Sequence, residues 1–388
     1  MGTTFVINTG STSRKYALYR DGLCQVVLFF ETTGKDFRFS TVRNGVACDE
    51  EIISAAAYEQ CVKYAVTYLV NQGDIASAES IQTVAVRVVA PGSYFTQHRL
   101  VDEVYMQKLE AIAEVAPLHT PGMIAQLQAV AKILPKAKVW GVSDSAFHTT
   151  IPKHIRTISI PKADAQQFDI ERFGYHGLSF ASIASRLESQ FGEVPKRTIV
   201  CHIGGGVSIA ALRDGKSVST SMGYSPVSGV MMGSRGGDIT AGVVAALTVF
   251  KKLQGKELYE YLYTQSGFKG VAGVSDLRLV LERSASKDED AQLALDMFAH
   301  EVRSWIGAHV ALLGGVDAVV LTATASVRNP EVRKMVLSGL ECFGIKLDAN
   351  ANDILIGKEG LIHSHESSVE IAVMKTDEMG EIYKIISS

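Results

Sequence analysis

Two segments of this chain repeat one design, in which a β-rich run is followed by a turn of small residues and a second extended run. The first is TTFVINT over residues 3–9, a Gly/Ser/Thr turn and then KYALYR. The second is TIVCHI over residues 198–203, three glycines and then VSIAALRDGKSV, with Asp214-Gly215 as a hairpin turn. Their offset is close to half the chain. It favours an internal duplication in which each half offers backbone N–H groups to a shared cleft, although two unrelated hairpins would look the same.

The remaining periodicity predicts an α/β fold with mainly buried sheets, because helical and strand-like runs alternate along the chain. A length of 388 residues exceeds what one hydrophobic core usually holds, so two domains are expected. In the last predicted helix, Asn329 is the N-cap and Pro330 takes the first helical position. The helical runs are residues 102–115, 120–134, 239–254, 288–313 and 329–345, and the strand-like runs are residues 138–143, 317–322 and 369–375.

Charge and cysteine content exclude several classes of protein. The net charge of −3 gives no broad positive field for a nucleic-acid backbone or for anionic lipid. Five cysteines, odd in number and without C-x-x-C pairing, are typical of reduced thiols. The N-terminus lacks a charged leader followed by an apolar block, and no later segment has 18 consecutive apolar residues. The sequence therefore predicts a cytoplasmic protein that binds neither nucleic acid nor membrane.

Two arginines stand in unusual surroundings. Arg87 lies inside the apolar run VAVRVVAPG, and Arg235 lies in the glycine-rich MMGSRGGD. A guanidinium among such neighbours needs an anion, which is either a structural carboxylate or a phosphate or carboxylate ligand. Both alternatives stay open from the residues alone, although the presence of two such arginines near Gly-rich turns makes a ligand competitive.

The other candidate groups are histidines and carboxylates. His119, His148 and His176 lie beside proline, aspartate or glycine, where each is either a ligand-binding group or a buried histidine with satisfied hydrogen bonds. Asp144 and Glu378 follow probable strands, where clefts of α/β sheets open, and each could instead cap a helix. The set has no activated Ser or Cys nucleophile and no P-loop. It suits phosphoryl transfer, in which a protein positions groups and neutralises charge.

Six ordered motifs resemble those of the acetate kinase family, short-chain carboxylate kinases of the sugar kinase, Hsp70 and actin superfamily. NTGSTSRK is similar to N-x-G-S-S-S-x-K, VRVVAPG to H-R-V-V-H-G-G, and APLHTP to A-P-L-H-N-P. SDSAFHTTIP and FGYHGLS are similar to D-T-A-F-H-x-T-x-P and Y-G-F-H-G-T-S. STSMGYSPVSGVMMGSRGGDI is similar to the family segment that ends in M-G-T-R-x-G-D-I. The resemblance runs nearly from end to end of the chain.

The resemblance implies a duplicated actin-like, ribonuclease H-like α/β fold of two domains with a cleft between them. The first would span residues 1–147, with a C-terminal helix over about 376–388 packed back on it. The second would span residues 148–375, bind the phosphoryl donor and form a homodimer. The implied activity is reversible, direct in-line transfer of a phosphoryl group from ATP to acetate, or to propionate, with Mg²⁺ as cofactor and Mn²⁺ as a substitute.

The resemblance implies a role for each site residue that stands in a matching motif. Arg87 and Arg235 would hold the carboxylate and stabilise the transition state, and His176 would contact the transferred phosphoryl group. Asp144 would complete the charged site, while Asn8 and Glu378 would organise Mg²⁺. Donor-side positions would be Ser11, Ser13, Lys15, His202, Gly204, Gly205, Gly206, Asp276 and Arg278, and acceptor-side positions would be Arg87, Val89, Leu118, His119, Tyr175 and Pro226.

Departures from the family pattern put the donor in question. Where the family has the adenosine-binding G-G-I-G-E-N loop, this chain reads TATASVRNPEVR after Leu321, without a glycine. Replacing glycine in backbone that approaches a ligand should narrow the nucleotide slot. Gly205 also replaces an Asn, and Tyr175 replaces a Phe. Pyrophosphate or phosphate is therefore the alternative donor to ATP, and a catalytically silent actin-like binding module is the alternative from another class.

Overall fold

The computed structural model describes residues 2–10, 13–33, 36–118 and 120–388, with the Thr33 side chain left out. The candidate residues Ser11 and His119 lie outside the described residues. Two compact units are present. Unit 1 comprises Met1–Ala90, Gln97–Asp144 and Asp377–Ser388, and unit 2 comprises Pro91–Thr96 and Ser145–Thr376.

Strands and helices are numbered here along the chain. The strands are Thr3–Thr9 (β1), Ser13–Arg20 (β2), Leu23–Thr33 (β3), Asp36–Arg43 (β4), Val46–Ile53 (β5), Ile81–Val88 (β6), Arg99–Leu100 (β7), Lys138–Ser143 (β8), Arg197–Ile203 (β9), Val207–Arg213 (β10), Lys216–Thr220 (β11), Ala318–Thr322 (β12), Gly360–Leu361 (β13) and Glu370–Val373 (β14). The helices are Ala55–Glu59 (α1), Cys61–Asn71 (α2), Glu103–Ala111 (α3), Thr120–Ile133 (α4), Lys153–Arg156 (α5), Lys162–Gln167 (α6), Gly177–Ala184 (α7), Leu187–Phe191 (α8), Ala241–Lys251 (α9), Gly255–Thr264 (α10), Gly267–Ala272 (α11), Leu277–Ala285 (α12), Glu289–Leu313 (α13), Thr324–Arg328 (α14), Pro330–Leu337 (α15), Ala349–Ile354 (α16) and Glu378–Ser387 (α17).

The two sheets share one core topology. Over the described residues, the sheet of unit 1 runs β5-β4-β3-β2-β1-β6-β8-β7, and that of unit 2 runs β11-β10-β9-β12-β14-β13. In unit 1, β3, β2 and β1 are antiparallel neighbours, and β6 and β8 then continue parallel to β1. In unit 2, β11, β10 and β9 are antiparallel, and β12 and β14 continue parallel to β9. The predicted α/β class is confirmed, and this repeated order is what an internal duplication produces.

The central strands are buried on both faces, which explains their continuous apolar runs. In β1, Phe5, Val6 and Ile7 are fully buried, and every residue of β12 is buried. In unit 2 the sheet packs against α7 through a cluster that includes Phe180, Val200 and Val320. No helix of the described ranges combines the length and the apolar character that a membrane span needs.

Several predicted elements are confirmed, two helices end well before their predicted ends, and the helix predicted over residues 239–254 spans Ala241–Lys251. The two strands of the first repeat, the Asp214-Gly215 turn, and helices α4 and α13 lie where the sequence predicts them. Asn329 accepts hydrogen bonds from the N–H groups of Glu331 and Val332 as the N-cap of α15. The helix predicted over residues 102–115 ends at Ala111, where the chain enters turns before Pro117. The one predicted over residues 329–345 ends at Leu337, because Gly339 takes a left-handed φ of 82°.

Candidate active site

In unit 1 three parallel strands bring candidate residues to one edge of the sheet. Asn8 is the second-last residue of β1, Arg87 is the second-last residue of β6, and Asp144 follows directly after β8. Because β1, β6 and β8 are adjacent and parallel, their carboxyl ends meet at that edge. Glu378, the first residue of α17, joins them from the far end of the chain. These side chains form what we call the Arg87 cluster: Asn8, Arg87, Asp144 and Glu378.

A network of hydrogen bonds fixes the Arg87 guanidinium. Its Nε and Nη2 donate to the two carboxylate oxygens of Asp144 at 3.0 and 2.9 Å, a bidentate pair. Nη1 donates to Asn8 Oδ1 at 3.1 Å and lies 3.6 Å from Glu378 Oε2. Asn8 Nδ2 donates to Glu378 Oε2 at 2.6 Å. The structural ion pair that the sequence left open for Arg87 is therefore present, and it holds the guanidinium in one orientation.

The charges of the Arg87 cluster suit a hard divalent cation. Burial opposes the charge of Arg87, but the carboxylates of Asp144 and Glu378 outweigh that effect and raise the Arg87 pKa. One guanidinium and two carboxylates leave a formal charge of −1 (+1 −1 −1). Mg²⁺ takes oxygen ligands, keeps several waters and is commonly held by one or two carboxylates together with substrate phosphates. The carboxylate of Glu378 and the amide oxygen of Asn8 are donors of that kind, so the residues present fit Mg²⁺.

In unit 2 two stacked histidines lie beside the second glycine turn. The turn is closed by a hydrogen bond from the Gly204 N–H to the Gly206 carbonyl at 3.0 Å. His176, the N-cap residue of α7, has a left-handed φ of 58°, and its ring stacks on that of His202 at 4.1 Å. Each ring is oriented by a serine, since His176 Nδ1 lies 2.8 Å from Ser208 Oγ and His202 Nδ1 lies 2.8 Å from Ser179 Oγ. Left-handed backbone at a residue other than glycine is a strained conformation that is common at functional sites.

Gly206 lies close to both the His176 ring and the Arg235 guanidinium. A Cβ built on Gly206 would fall 2.9 Å from His176 Nε2 and 3.6 Å from Arg235 Nη1. The absence of a side chain at Gly206 therefore lets the turn, the imidazole and the guanidinium come together. We call this group the Gly206 cluster: Gly204, Gly206, His176, His202 and Arg235. It combines backbone at a turn with an imidazole and a fork of N–H donors, groups that suit a phosphoryl group.

Arg235 is almost fully buried and is oriented by its own loop. Its Nη1 donates to the Pro226 carbonyl at 3.2 Å, and its Cζ lies 4.6 Å from the centre of the Tyr263 ring. Among the described residues no carboxylate forms an ion pair with it. Its Nη1 also lies 3.5 Å from Met232 Sδ, so the described partners of this buried guanidinium are a carbonyl, a sulfur and a ring, and an anionic ligand would complete its contacts.

We expect Gly206→Ala to lower kcat by about 10–100-fold with little change in thermal stability, because a displacement of about 1 Å in catalytic groups has effects of that size. The added methyl would fall within 3.0 Å of the His176 ring, which Ser208 and the stacked His202 hold in place. Steady-state kinetics and thermal unfolding measure both effects. Gly122→Ala is the control, since nothing lies within 4 Å of the Cβ it adds. Equal kcat values for the two variants would contradict this geometry.

The predicted acceptor-side residues divide between the units. In unit 1, the Val89 N–H lies 3.2 Å from Met123 Sδ, and Leu118 is half-buried. In unit 2, Tyr175 is buried and its hydroxyl donates to the Tyr224 carbonyl at 2.6 Å, so the hydroxyl that this chain has in place of a family Phe is satisfied. Pro226 contacts Arg235 through its carbonyl. Tyr175, Pro226 and Arg235 are thus linked through the segment at residues 224–226.

His148 is a buried histidine with satisfied hydrogen bonds. Its Nδ1 lies 2.8 Å from Ser217 Oγ, and its Nε2 lies 3.1 Å from the Tyr175 carbonyl, which requires a proton on Nε2. The ring is 1% exposed, and burial lowers its pKa to about 4. His148 therefore stays neutral near pH 7 and supports the backbone of Tyr175.

The low pKa of His148 predicts a pH dependence of stability. The folded state binds its proton less readily than the unfolded state, so stability is complete above the usual pKa of about 6.5 and is lost as the pH falls toward 4. As the pH falls from 6.5 to 5, the contribution to the unfolding free energy should decrease with a slope that rises toward about 1.4 kcal/mol for each pH unit. Urea denaturation over this range should show a shallower pH slope for His148→Asn than for the wild type. His154→Asn, on an exposed residue, should keep the wild-type slope, and equal slopes for all three proteins would contradict the assignment.

Other predicted donor-side residues have local partners. The Ser13 carbonyl accepts the Gly10 N–H at 2.8 Å, and Lys15 Nζ lies 5.9 Å from the centre of the Phe29 ring. Asp276 is the N-cap of α12 and accepts from Arg278 Nε at 3.0 Å. The pair is a helix cap with an exposed arginine, and its described contacts do not join it to the Gly206 cluster. Gly205 is exposed at the tip of the second turn.

The segment that replaces the family's glycine loop packs against the second turn. Ala323 has a left-handed φ of 71°, and a Cβ on Gly204 would lie 3.3 Å from the Ala323 methyl. The following helix α14 is held by Arg333, which is fully buried and donates to the Ser326 carbonyl at 2.6 Å. A methyl group therefore occupies a backbone position that favours glycine, directly beside the turn.

Three residues of this site were not predicted from the sequence. Ser208 stands two residues after Gly206 on β10, so strand alternation could have placed it on the same face. Ser179 lies one turn of helix after His176, a spacing that could also have suggested contact. Tyr263 lies on α10, and no local pattern in the sequence pairs it with Arg235.

Known proteins resemble this chain in sequence and in fold. The sequence pattern of the acetokinase family matches residues 3–384. An acetate kinase of Acetivibrio thermocellus is 35% identical over 97% of this chain and 96% of its own length. The crystal structure of an acetate kinase from Porphyromonas gingivalis has a TM-score of 0.84 at 31% identity, covering 99% of this chain and 98% of that one. A propionate kinase structure from Francisella tularensis has a TM-score of 0.88 at 29% identity, covering 98% of each chain.

Proposed function

The chain belongs to the acetokinase family, and we propose from this premise that it transfers a phosphoryl group reversibly between a donor and acetate, giving acetyl phosphate. It is a phosphotransferase with a carboxyl group as acceptor. The observation that carries the proposal is the Gly206 cluster, in which a glycine turn, an imidazole and a buried guanidinium lie within a few ångströms of one another. Propionate is a second acceptor of the same class, because a propionate kinase shares this fold.

The reaction needs little covalent chemistry from the protein. A carboxylate oxygen of acetate forms a bond to the donor's terminal phosphorus as the bridging P–O bond breaks, and ADP or phosphate leaves with the electron pair. The acceptor is already an anion, so no general base is needed, which fits a site without an activated nucleophile. Catalysis then depends on positioning and on charge that develops on the transferred group.

In the mechanism we propose, each cluster has a distinct task. Arg235 would stabilise charge on the transferring phosphoryl oxygens, and His176 would donate to the same group. Toward the described residues, Arg87 donates three of its five N–H groups, all within its cluster, and the other two would bind the acceptor carboxylate. Glu378 and Asn8 would hold Mg²⁺, directly or through water, and the cation supplies positive charge to the donor phosphates.

ATP is the donor in the leading form of the proposal, and pyrophosphate is the alternative. The family supports ATP. The specific observation in favour of pyrophosphate is the Ala323 methyl at a left-handed φ beside Gly204, because it narrows the space next to the second turn. A small donor without an adenosine would need less of that space.

An assay of acyl phosphate tests both forms. The acyl phosphate is trapped as its hydroxamate in reactions with acetate or propionate, Mg²⁺ and either ATP or pyrophosphate, and the reverse reaction is run with ADP or phosphate.

If ATP is the donor, Arg278→Ala should raise the KM for ATP and leave any pyrophosphate reaction unchanged. If pyrophosphate is the donor, Ala323→Gly should increase activity with ATP, because it removes the methyl. If neither ATP nor pyrophosphate supports the reaction in either direction, the proposal is overturned in favour of a silent binding module.

The proposal includes a homodimer formed through unit 2. Helix α9 has the apolar sequence AGVVAALTVFK, yet none of its residues is buried, and Val249 and Phe250 are 70% and 83% exposed. An exposed apolar helix of this length, whose one charged residue is the terminal Lys251, marks an interaction surface, and a second copy of the chain is the occupant we propose.

Light scattering after size exclusion should give twice the chain mass for the wild type and a monomer for Phe250→Asp. An Asp on the apolar face would be buried without a partner in the dimer. Phe168→Asp, on another exposed phenylalanine of unit 2, should remain dimeric. A monomeric wild type would contradict the homodimer.

The five cysteines are free thiols, which supports the proposed location in the reducing cytoplasm. Cys201 is fully buried, and burial raises its pKa to about 12, so it behaves as an inert core residue.

A further inference from the structure

The loop that carries Arg235 is long and irregular. Residues 221–238, all of them described, contain neither helix nor strand. Irregular loops of this length are uncommon in compact domains and are usually functional. Because Arg235 has no ion-pair partner among the described residues, its position depends on how this loop is held.

The loop is closed on itself around Arg235. Asp238 N–H donates to the Gly229 carbonyl at 2.9 Å, and Asp238 Oδ1 accepts the Gly229 N–H at 2.8 Å. A Cβ on Gly237, where φ is 70°, would lie 2.5 Å from the Gly229 carbonyl oxygen, so the two ends cross too closely for any side chain. Inside this closed segment the Met232 N–H donates to the Arg235 carbonyl at 2.9 Å. Residues 229–238 thus form one connected unit, which we call the Arg235 loop.

Helix α13 reaches the Arg235 loop through one carboxylate. Glu301 Oε2 accepts the Met231 N–H at 2.6 Å. Glu301 is half-buried, and burial together with the nearby charge of Asp238 raises its pKa, while the Met231 N–H and His300 act in the opposite direction. A carboxylate in such a place is unfavourable unless it is hydrogen-bonded, so the contact with the loop is the interaction that compensates for its burial.

We infer that Glu301 is a positioning residue for phosphoryl transfer: its carboxylate ties the Arg235 loop to α13 and thereby sets the place of the Arg235 guanidinium. The inference rests on the proposed function of Arg235. The connection from Glu301 to Arg235 involves two neighbouring residues of the loop. The Met231 N–H donates to the Glu301 carboxylate, and the Met232 N–H donates to the Arg235 carbonyl. The role requires a hydrogen-bond acceptor at position 301 and does not require a negative charge.

The test compares Glu301→Ala with Glu301→Gln, because the amide oxygen of Gln can still accept the Met231 N–H. Amide hydrogen exchange of peptides that cover residues 229–238 reports on the loop without any assay of activity. We expect exchange there to be about tenfold faster in Glu301→Ala and close to wild type in Glu301→Gln. We expect kcat to fall about 10–100-fold in Glu301→Ala, with KM for acetate within about twofold, and to recover in Glu301→Gln. Asp296→Asn, on the exposed face of α13, is the control and should change neither measurement.

Three results would overturn the inference. Unchanged exchange of the Arg235 loop in Glu301→Ala would show that the carboxylate does not anchor it. Faster exchange with an unchanged kcat would show an anchor without a role in catalysis. A Gln variant as impaired as the Ala variant would show that charge, and not the acceptor, is what matters. If Glu301→Ala does not fold, Glu301→Met, which has a similar length and no acceptor, replaces it.

The exchange measurement also separates this inference from the proposed function. If the wild type has no kinase activity with any donor, the proposed function fails while the exchange comparison still tests the anchor.

Discussion

Arg235→Ala should lower kcat by at least about 1,000-fold while the protein remains folded. Arginines that stabilise a phosphoryl-transfer transition state contribute about 10³–10⁵ to kcat, because their charge faces charge that grows during the reaction. A thousandfold loss corresponds to about 4 kcal/mol of activation free energy. The loss of folding stability should be smaller, about 1–2 kcal/mol, because the described partners of the side chain are uncharged: one carbonyl, one thioether sulfur and one ring.

Two further variants sharpen this test. Arg235→Lys keeps the charge but loses the planar fork, so we expect it to recover only a small part of the activity. Arg38→Ala is the matched control, since Arg38 forms an exposed pair with Glu50 that contributes little to stability. Kinetics and thermal unfolding are measured on all three proteins. A loss of activity that only parallels a loss of stability would mean that Arg235 has a structural role.

Asp144→Ala should be the most destabilising single change in the candidate site. The Arg87 side chain is 9% exposed and that of Asp144 is 1% exposed, so the variant leaves a buried guanidinium without its bidentate partner. Removing one member of a buried ion pair costs about 3–5 kcal/mol, and we expect the lower end because Asn8 and Glu378 remain. Activity should also fall, since Arg87 would no longer be held in one orientation.

Fluorescence can localise that effect, because each unit contains one of the two tryptophans, Trp140 on β8 and Trp305 on α13. In a Trp305→Phe background, urea denaturation followed at Trp140 reports on unit 1. A double-mutant cycle with Arg87→Met then isolates the pair. The effect of Asp144→Ala should be smaller when Arg87 is already replaced, because no lone guanidinium remains. An equal effect in both backgrounds would show that the pair does not stabilise unit 1.

The fold and the identity of the candidate residues follow largely from local sequence. Continuous apolar runs such as FVI in β1 indicate strands that are buried on both faces, and turn residues such as Asp214-Gly215 mark where the chain reverses. Ordered motifs pointed to the family and thereby to Arg87, Asp144, His176 and Arg235 as candidates. These features depend on neighbours within a few residues, which is why a single sequence contains them.

The contacts of those residues could not be predicted in the same way. From the sequence, the partner of Arg87 could be either a ligand or a structural carboxylate. The tertiary structure shows that Arg87 forms a bidentate ion pair with Asp144, which is 57 residues away in the chain. Two other contacts could not be predicted from local sequence either. Glu378 accepts a hydrogen bond from Asn8, which is 370 residues away, and Glu301 on α13 accepts the Met231 N–H of the Arg235 loop.

By itself, then, the sequence determined the α/β class, the strand pairs of the two repeats, the charged residues that could contact a phosphoryl group, and the family that the chain resembles. Only the tertiary structure decided the partners of each charge, the left-handed backbone at Ala323 and the early ends of two helices. The reason is physical: periodicity and turn chemistry act over a few residues, whereas a hydrogen bond or an ion pair depends on where distant segments meet in space.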